Sequence, residues 1–383
     1  MIELVNRAFH LSCFLMIAGV ALFCSQPHPE SEKKEESTDE DAGQQGNTDT
    51  EQGTTDPAFE LLGIYPGWGG AYPDPNVCEG VDNYLDFESA LGREMRYVDV
   101  NIGDVSWPDF AGAAGSVITS ANGVIRKLDR TVPALILPLG VKELITEGDT
   151  YYHANDPVGV ELRKRMFQEI AAGKYDQYYE QVARNLLTYE SEDAIMRLGH
   201  EFDLDSYPWS VVGGNHRAYA EAFRHVVTVM RKSLPELRFC FNWTGCAHRE
   251  NPDAPGQTFA ESAWPGDDVV DVIGIDVYDS APWTEREMQL GYAEEMAVSK
   301  NIPLAIPEWG LWHHHIYAGK PPDEDNPAFV QNMYDYMNAL PKRGGGRLMF
   351  HCYFQQLDDH DIFSFPESAE LFLRLFGSVV DSK

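Results

Sequence analysis

Positive charge is scarce in this chain. Its 383 residues include 29 Lys and Arg against 61 Asp and Glu, a formal net charge of −32. A surface so poor in cations does not track phosphate backbones, so nucleic acid is excluded as a partner and neutral or cationic ligands fit better. Cysteine is sparse as well: there are six, with no Cys-x-x-Cys pair, which argues against a zinc ribbon or a thioredoxin motif. No glycine-rich phosphate loop follows an early apolar run, so the doubly wound nucleotide-binding folds lack support. No uninterrupted apolar run is long enough to read as a membrane span.

What is present begins with Arg7, followed by an apolar run from Ala8 to Cys24 that is interrupted by His10 and Ser12. Its length suits the hydrophobic region of an export signal. Ala21-Leu22-Phe23-Cys24 resembles a bacterial lipobox, although Phe23 is bulky where a small residue is usual. Residues 1–24 are therefore read as a signal, either one that leaves Cys24 lipidated or one that is simply cleaved. Residues 25–57 hold ten acids, two lysines and no aromatic residue. Such a tract cannot bury a core and is expected to be a disordered acidic linker. Removing it leaves the remainder at about −24, so acidity is not confined to the tail. The fold would occupy residues 58–383 and contain Cys78, Cys240, Cys246 and Cys352, whose pairing stays open.

From residue 58 onward, short apolar runs alternate with helical patterns. Strand candidates are 61–65, 95–101, 132–139, 195–201, 238–243, 269–278, 302–308 and 347–354. Helical patterns cover 176–189, 216–233, 284–299, 326–340 and 367–376. The second of these carries apolar residues near i, i+3 and i+4, and the third opens on a capping-box pattern, Thr284 and Glu287. Eight strands with intervening helices predict an α/β fold, a single (β/α)8 TIM barrel.

Two carboxylates stand out against this pattern. Glu201 ends the fourth run and Glu308 the seventh, and a charge at the end of a buried strand is costly unless a site uses it. The C-terminal strand ends of such a barrel carry its chemistry. The two residues are 107 positions apart, three βα units of about 36 residues each, against about 31 in an average barrel. Carboxylates facing each other across a barrel mouth suit cleavage of a glycosidic bond. Side-chain alternation puts Arg197 on the same face as Glu201, pointing into the barrel toward an interior carboxylate, either as part of the site or as a structural ion pair.

Several motifs, in order, resemble glycoside hydrolase family 26, best known for β-mannanases. Arg197-Leu198-Gly199-His200-Glu201-Phe202 resembles the family's strand-four motif. Tyr207-Pro208-Trp209 and the helix around Tyr219 to Val227 resemble the family's loop and helix after that strand. Pro265 to Tyr278 is similar to the strand-six signature and Pro307-Glu308-Trp309-Gly310 to strand seven. The resemblance spans roughly residues 61–376 and implies a retaining mechanism, with Glu201 as acid/base and Glu308 as nucleophile. It also implies that His200 lines a sugar subsite and that Tyr278 hydrogen-bonds the nucleophile; a tyrosine that only caps the core is the structural alternative. Two features depart from the family. Strand eight, Met349 to Gln356, lacks the usual Trp, leaving Tyr353 or Phe354 to take its place. The loop after strand four lacks the frequent Asn-Gly and multiple-Trp run.

Tryptophan placement adds to this reading. Trp68, Trp107, Trp209, Trp243, Trp283, Trp309 and Trp312 all fall at or just beyond predicted C-terminal strand ends, where aromatic faces suit sugar rings. Only Trp264 does not. His313 and His315, with Asp358, Asp359 and His360, show no recognisable ligand spacing, so a solvated or sugar-contacting loop is expected rather than a metal. The sequence thus predicts an exported glycoside hydrolase, a lipoprotein or secreted, monomeric and without a cofactor. Its membrane contact would be limited to the Cys24 anchor. The expected partner is a β-linked glycan, with β-1,4-mannan first and β-xylan or mixed-linkage β-glucan as alternatives. A carbohydrate-binding lipoprotein that has lost turnover is the rival of a different class.

Overall fold

A computed structural model describes residues 56–67, 79–111, 118, 123–313, 325–341, 346–356 and 359–378. The expected signal with Cys24, nearly all of the linker, and Trp68, Cys78, His314, His315 and Asp358 lie outside the described residues. Asp56 and Pro57, the last two residues assigned to the linker, belong to the fold: Asp56 caps the short helix Pro57–Glu60 through the Phe59 amide. Among the described residues no helix is long and apolar enough to cross a membrane.

Eight parallel strands close into a barrel: β1 Leu62–Tyr65, β2 Tyr97–Asn101, β3 Val132–Leu137, β4 Ile195–Leu198, β5 Arg238–Trp243, β6 Val272–Ile275, β7 Leu304–Gly310 and β8 Leu348–Phe354. Each pairs with its sequence neighbour, and β8 pairs with both β7 and β1, which closes the ring. This is the predicted (β/α)8 barrel, with strand bounds shifted by a few residues. The largest shifts are at β4, which ends at Leu198 rather than Glu201, and at β6, which stops at Ile275 before a two-residue continuation, Val277–Tyr278, along β7.

Helices cover the outside. The longer ones are α1 Glu79–Leu91, α2 Pro157–Ala171, α3 Asp176–Thr188, α4 His216–Arg231, α5 Trp283–Lys300, α6 Pro327–Ala339 and α7 Pro366–Phe376. The α4 stripe Tyr219, Ala222, Phe223, Val226, Val227 and Met230 is buried, as its periodicity requires. Each large apolar side chain buried in this way contributes about 1.5–3 kcal/mol. The capping box expected at Thr284 is absent. Helix α5 begins one residue earlier, after Pro282, so Thr284 sits inside the first turn and cannot act as the cap. A capping box does form elsewhere, between Thr258 and Glu261.

Side-chain alternation sorts the barrel interior into layers. The lower layer is apolar: Tyr97, Val132, Ala134, Ile195, Cys240, Val272, Ala305, Phe350 and Cys352 pack as one buried cluster. Cys240 and Cys352 are thus barrel-core thiols. Toward the C-terminal strand ends the inward positions turn polar, at Asp99, Arg197, Asn242 and Asp276. Packing is tight where strands approach. A Cβ on Gly63 would lie 2.5 Å from the Tyr97 carbonyl oxygen. Gly63→Ala is expected to lower stability by about 1–3 kcal/mol, read as a lower urea midpoint at unchanged slope; an unchanged midpoint would mean that β1 and β2 can separate freely.

Candidate active site

Five strands deliver the polar layer. Arg197 on β4 is fully buried. Its Nη1 donates to Glu308 Oε1 at 2.8 Å and to Asp99, and its Nη2 donates to Asp276 Oδ2 at 2.7 Å. Asn242 Oδ1 accepts from Nε at 2.9 Å and from Nη2 at 2.6 Å. One guanidinium thus joins β2, β4, β5, β6 and β7. The interior carboxylate expected to meet Arg197 is in fact three carboxylates.

Glu308 faces inward because β7 is irregular. Leu304 and Ile306 pack outward with the helices, and Ala305 packs inward. Strict alternation from these would turn Glu308 outward. The pairing with β8 shifts register between Ile306 and Trp309, which reverses the faces and brings Glu308 into the barrel. Pro307, which has no amide to donate, lies within the irregular stretch. Both Glu308 oxygens are held: Oε1 by Arg197, and Oε2 by the Tyr278 hydroxyl, which donates at 2.5 Å. Tyr278 reaches it from the short continuation strand, whose partner is the end of β7 itself.

Glu201 arrives by a turn. Beyond β4, Gly199 has φ +56° and Glu201 φ +47°, and the Glu201 amide still donates to the Asn242 carbonyl at 3.0 Å. A left-handed conformation at a non-glycine residue stores strain, which collects at functional sites. A carboxylate oxygen from each of Glu201, Asp276 and Glu308 lies within 4.8 Å of the other two. Among the described residues these three are the carboxylates that could hold a cation. Asp276 and Glu308 already have the Arg197 guanidinium as their cation, which leaves the donor set poorly suited to another.

The electrostatics separate the two glutamates. Burial holds the Glu201 carboxyl well above the usual carboxylate range, and the Glu308 and Asp203 charges add to this. Arg197 and a hydrogen bond from Tyr207 oppose it. Asp99 and Asp276 are also pushed up, chiefly by burial and against the pull of Arg197. Burial, then the Arg197 charge, keeps His200 neutral. Asp203, raised to about 6 by burial, accepts from the Thr244 and Cys246 amides and so fixes the loop after β5. A protonated carboxyl facing an ionised one at this separation can donate a proton to one side of a bond while the other side is attacked.

Glu201, Glu308, Arg197, His200 and Tyr278 come together at the mouth. The tryptophans mostly do not. Trp243 and Trp309 occupy outward strand positions. Trp309 stacks on Phe372 and donates to His351 Nδ1 at 3.0 Å, while Trp243 packs against Phe241 and Tyr292. Trp283 opens α5, half-buried with its edge near Phe329. Trp107 is buried against Tyr175 and Tyr178. Lying at the end of a strand does not aim a side chain at the mouth, because alternation sets the face. Trp209 and Trp312 are near the site but buried in its walls: Trp209 donates to the His200 carbonyl at 2.6 Å, and Trp312 stacks on His360 beside Tyr278. Sequence reasoning misses Asp99, Asn242 and Asp276, although each is a polar residue in an apolar strand at an inward position. His313 binds Ser364 and stacks on Phe365.

Solved structures share this architecture. GH26C from a Muricauda species is 15% identical, with a TM-score of 0.55 and 84% of this chain and 85% of that chain covered. The catalytic domain of a Bacillus GH26 endo-β-1,4-mannanase is 13% identical at 0.56, with 83% and 86% covered. A Cellulomonas fimi endo-β-1,4-mannanase variant is 15% identical at 0.58, with 84% and 72% covered. The fold is shared with these solved family 26 structures. At these identities the likeness to the solved family 26 structures is one of fold. No family model matches the chain. Among curated proteins it is similar to a β-1,3-xylanase of a Vibrio species, 28% identical over 233 residues, 61% of this chain and 43% of the relative. A β-1,3-xylanase of an Alcaligenes species is 30% identical over 233 residues, 61% and 42%. The match spans less than half the length of either relative.

Removing the shared cation exposes what it neutralises. Arg197→Met leaves Asp99, Asp276 and Glu308 buried without a counter-charge and is expected to cost about 3–5 kcal/mol at pH 7. Burial then raises their folded pKa values above the unfolded ones. Such groups stabilise fully below the unfolded value, near 4, and that stability is lost as pH rises through the folded value. Urea unfolding should therefore show a smaller deficit at pH 4 than at pH 7; an equal deficit at both would rule out this electrostatic account.

Proposed function

We propose that this protein is a retaining glycoside hydrolase, with Glu308 as nucleophile and Glu201 as acid/base. The observation that carries the reading is the approach of their carboxylate oxygens to within 4.8 Å. Retention works at about 5–5.5 Å between carboxyl groups, whereas inversion leaves about 6.5–9.5 Å for a water. Glu308, held between Arg197 and Tyr278, attacks the anomeric carbon. Glu201 gives its proton to the departing oxygen, and the C–O electron pair leaves with that oxygen. Once Glu308 is esterified its charge no longer opposes ionisation of Glu201, which then takes a proton from water as that water attacks the glycosyl ester.

For the substrate, we infer a β-linked xylan, with β-1,3-xylan first. The family resemblance alone puts mannan first. The mannanase likenesses lie at 13–15% identity and speak to fold, whereas the β-1,3-xylanases are 28% and 30% identical. His200 and Tyr278, beside the two glutamates, are the proposed sugar contacts. We further propose export, as the sequence of residues 1–24 suggests.

The test is hydrolysis of β-1,3-xylan, β-1,4-xylan, β-1,4-mannan and mixed-linkage β-glucan by the chain from residue 56, with product anomers followed by NMR. Release of the β-anomer first is expected. Glu308→Ala should abolish turnover, and azide should restore it on an activated aryl β-glycoside. Glu201→Gln should slow glycan cleavage about 10²–10⁴-fold, while the chemistry of an activated aryl glycoside is largely spared and the alkaline limb of the pH profile is lost. Binding without cleavage of any glycan would favour the carbohydrate-binding rival, and activity surviving Glu308→Ala would sink the nucleophile.

A further inference from the structure

Tyr207 lies in the loop after β4, six residues past Glu201, and an unusual number of contacts fix it. Its ring stacks on Trp209 at 4.9 Å and 17°. Its carbonyl accepts from Arg163 Nε at 3.3 Å and Nη2 at 3.0 Å, and Arg163 is itself buried. Its hydroxyl is 3.1 Å from His200 Nε2 and hydrogen-bonds the Glu201 carboxyl group. Trp209, the stacking partner, donates to the His200 carbonyl. Loop, ring and hydroxyl are therefore all constrained around one carboxyl.

We propose that Tyr207 is a positioning residue that links Glu201 to His200 and reserves one oxygen of Glu201, leaving the other for the reacting bond. This deepens the glycosidase reading and rests on it for its kinetic consequence. The direction of the link follows from donor counting. The Tyr207 bond favours the ionised form of Glu201, so the Tyr207 O–H is the donor in it, to the carbonyl oxygen while Glu201 keeps its proton, and the Tyr207 oxygen is left to accept from His200 Nε2–H. His200 is held as the neutral Nε2–H tautomer, whose Nδ1 has no hydrogen-bond partner in its buried position. No proton passes along the link during turnover. Glu201 loses its proton from the unreserved oxygen to the leaving group, and the Tyr207 O–H then stabilises the carboxylate that forms.

The charged and titratable groups facing Glu201 are Glu308, Asp203, Asp276, Arg197, Tyr278 and His200. Three of these are acids, and burial already favours the protonated form, so one donated hydrogen bond works against a strong bias. Its removal leaves Glu201 a weaker acid.

The test is Tyr207→Phe, which keeps the ring that stacks on Trp209. Glutamate is labelled with 13C at the side-chain carboxyl, and the Glu201 signal is identified by its loss in Glu201→Gln. In Tyr207→Phe the Glu201 titration midpoint is expected to rise by about one pH unit. The alkaline limb of kcat/KM should move up with it, and kcat should fall about tenfold on a glycan while changing little on an activated aryl glycoside. A merely structural role would lower activity on both substrates without moving the midpoint. A midpoint unmoved or lowered in a variant with wild-type near-ultraviolet circular dichroism overturns the proposal. If the midpoint rises but the wild-type protein cleaves no glycan, the Tyr207 link stands and the glycosidase reading falls.

Discussion

One guanidinium holds the centre of this barrel together. Arg197 is buried with Asp99, Asp276 and Glu308; the first three side chains are closed to solvent, and Glu308 alone keeps an edge at the mouth. Burying any one of these charges alone would cost several kcal/mol, and a single cation cannot neutralise three ionised carboxylates. Burial accordingly raises the proton affinities of Asp99 and Asp276, so the cluster comes to neutrality when each of the two keeps a proton. Asn242, which offers its oxygen to two nitrogens of the same guanidinium, sets its plane without adding charge. The planar fork matters here. Five donors in fixed geometry can bridge five strands, which a lysine could not do.

From that centre the two glutamates diverge. Glu308 has a cation on one oxygen and a tyrosine hydroxyl on the other. Glu201 has no direct cation, stands on a left-handed turn, and faces Glu308 and Asp203. Two identical side chains within reach of each other thereby have different surroundings, and burial with neighbouring acids favours the protonated form of Glu201. This is the condition for one to attack while the other donates. The fold achieves it through which strand carries the arginine: Arg197 is only four residues before Glu201, yet its fork points across the barrel to β2, β6 and β7.

The alternation of strands and helices is legible because parallel barrel strands are short, apolar and separated by amphipathic helices whose periodicity differs from theirs. Parity on β4 correctly turns Arg197 inward. Asp99, Asn242 and Asp276 escape the sequence reading because the same parity is not carried to β2, β5 and β6, where it turns them inward as well. Parity fails on β7, where the register shift after Ile306 reverses the faces, and no residue type announces that shift apart from Pro307. The tryptophans mislead for a related reason. Position at a strand end is not exposure at the mouth, because Trp243 and Trp309 sit one residue beyond an inward position and so face the helices. Indole is a large apolar surface before it is a sugar platform, and each of these two found a protein surface to cover.

Parity also decides what stands at the end of strand eight. Phe350 and Cys352 face inward, so Phe354 does too, while Tyr353 is fully buried outward against Phe372 and Trp309. Phe354 therefore occupies the position where the family resemblance leads one to expect an indole. It stacks on Tyr65 of the adjoining strand at 4.4 Å with the rings nearly parallel, and presents itself edge to face with Tyr278 at 5.8 Å. The paired rings make a flat apolar wall directly beside the tyrosine that holds Glu308. A change in this wall would thus reach Glu308 through Tyr278. Phe354 is buttressed by Tyr65 from the neighbouring strand, so the wall is fixed by the closure of the barrel between its first and last strands and not by the loops above it.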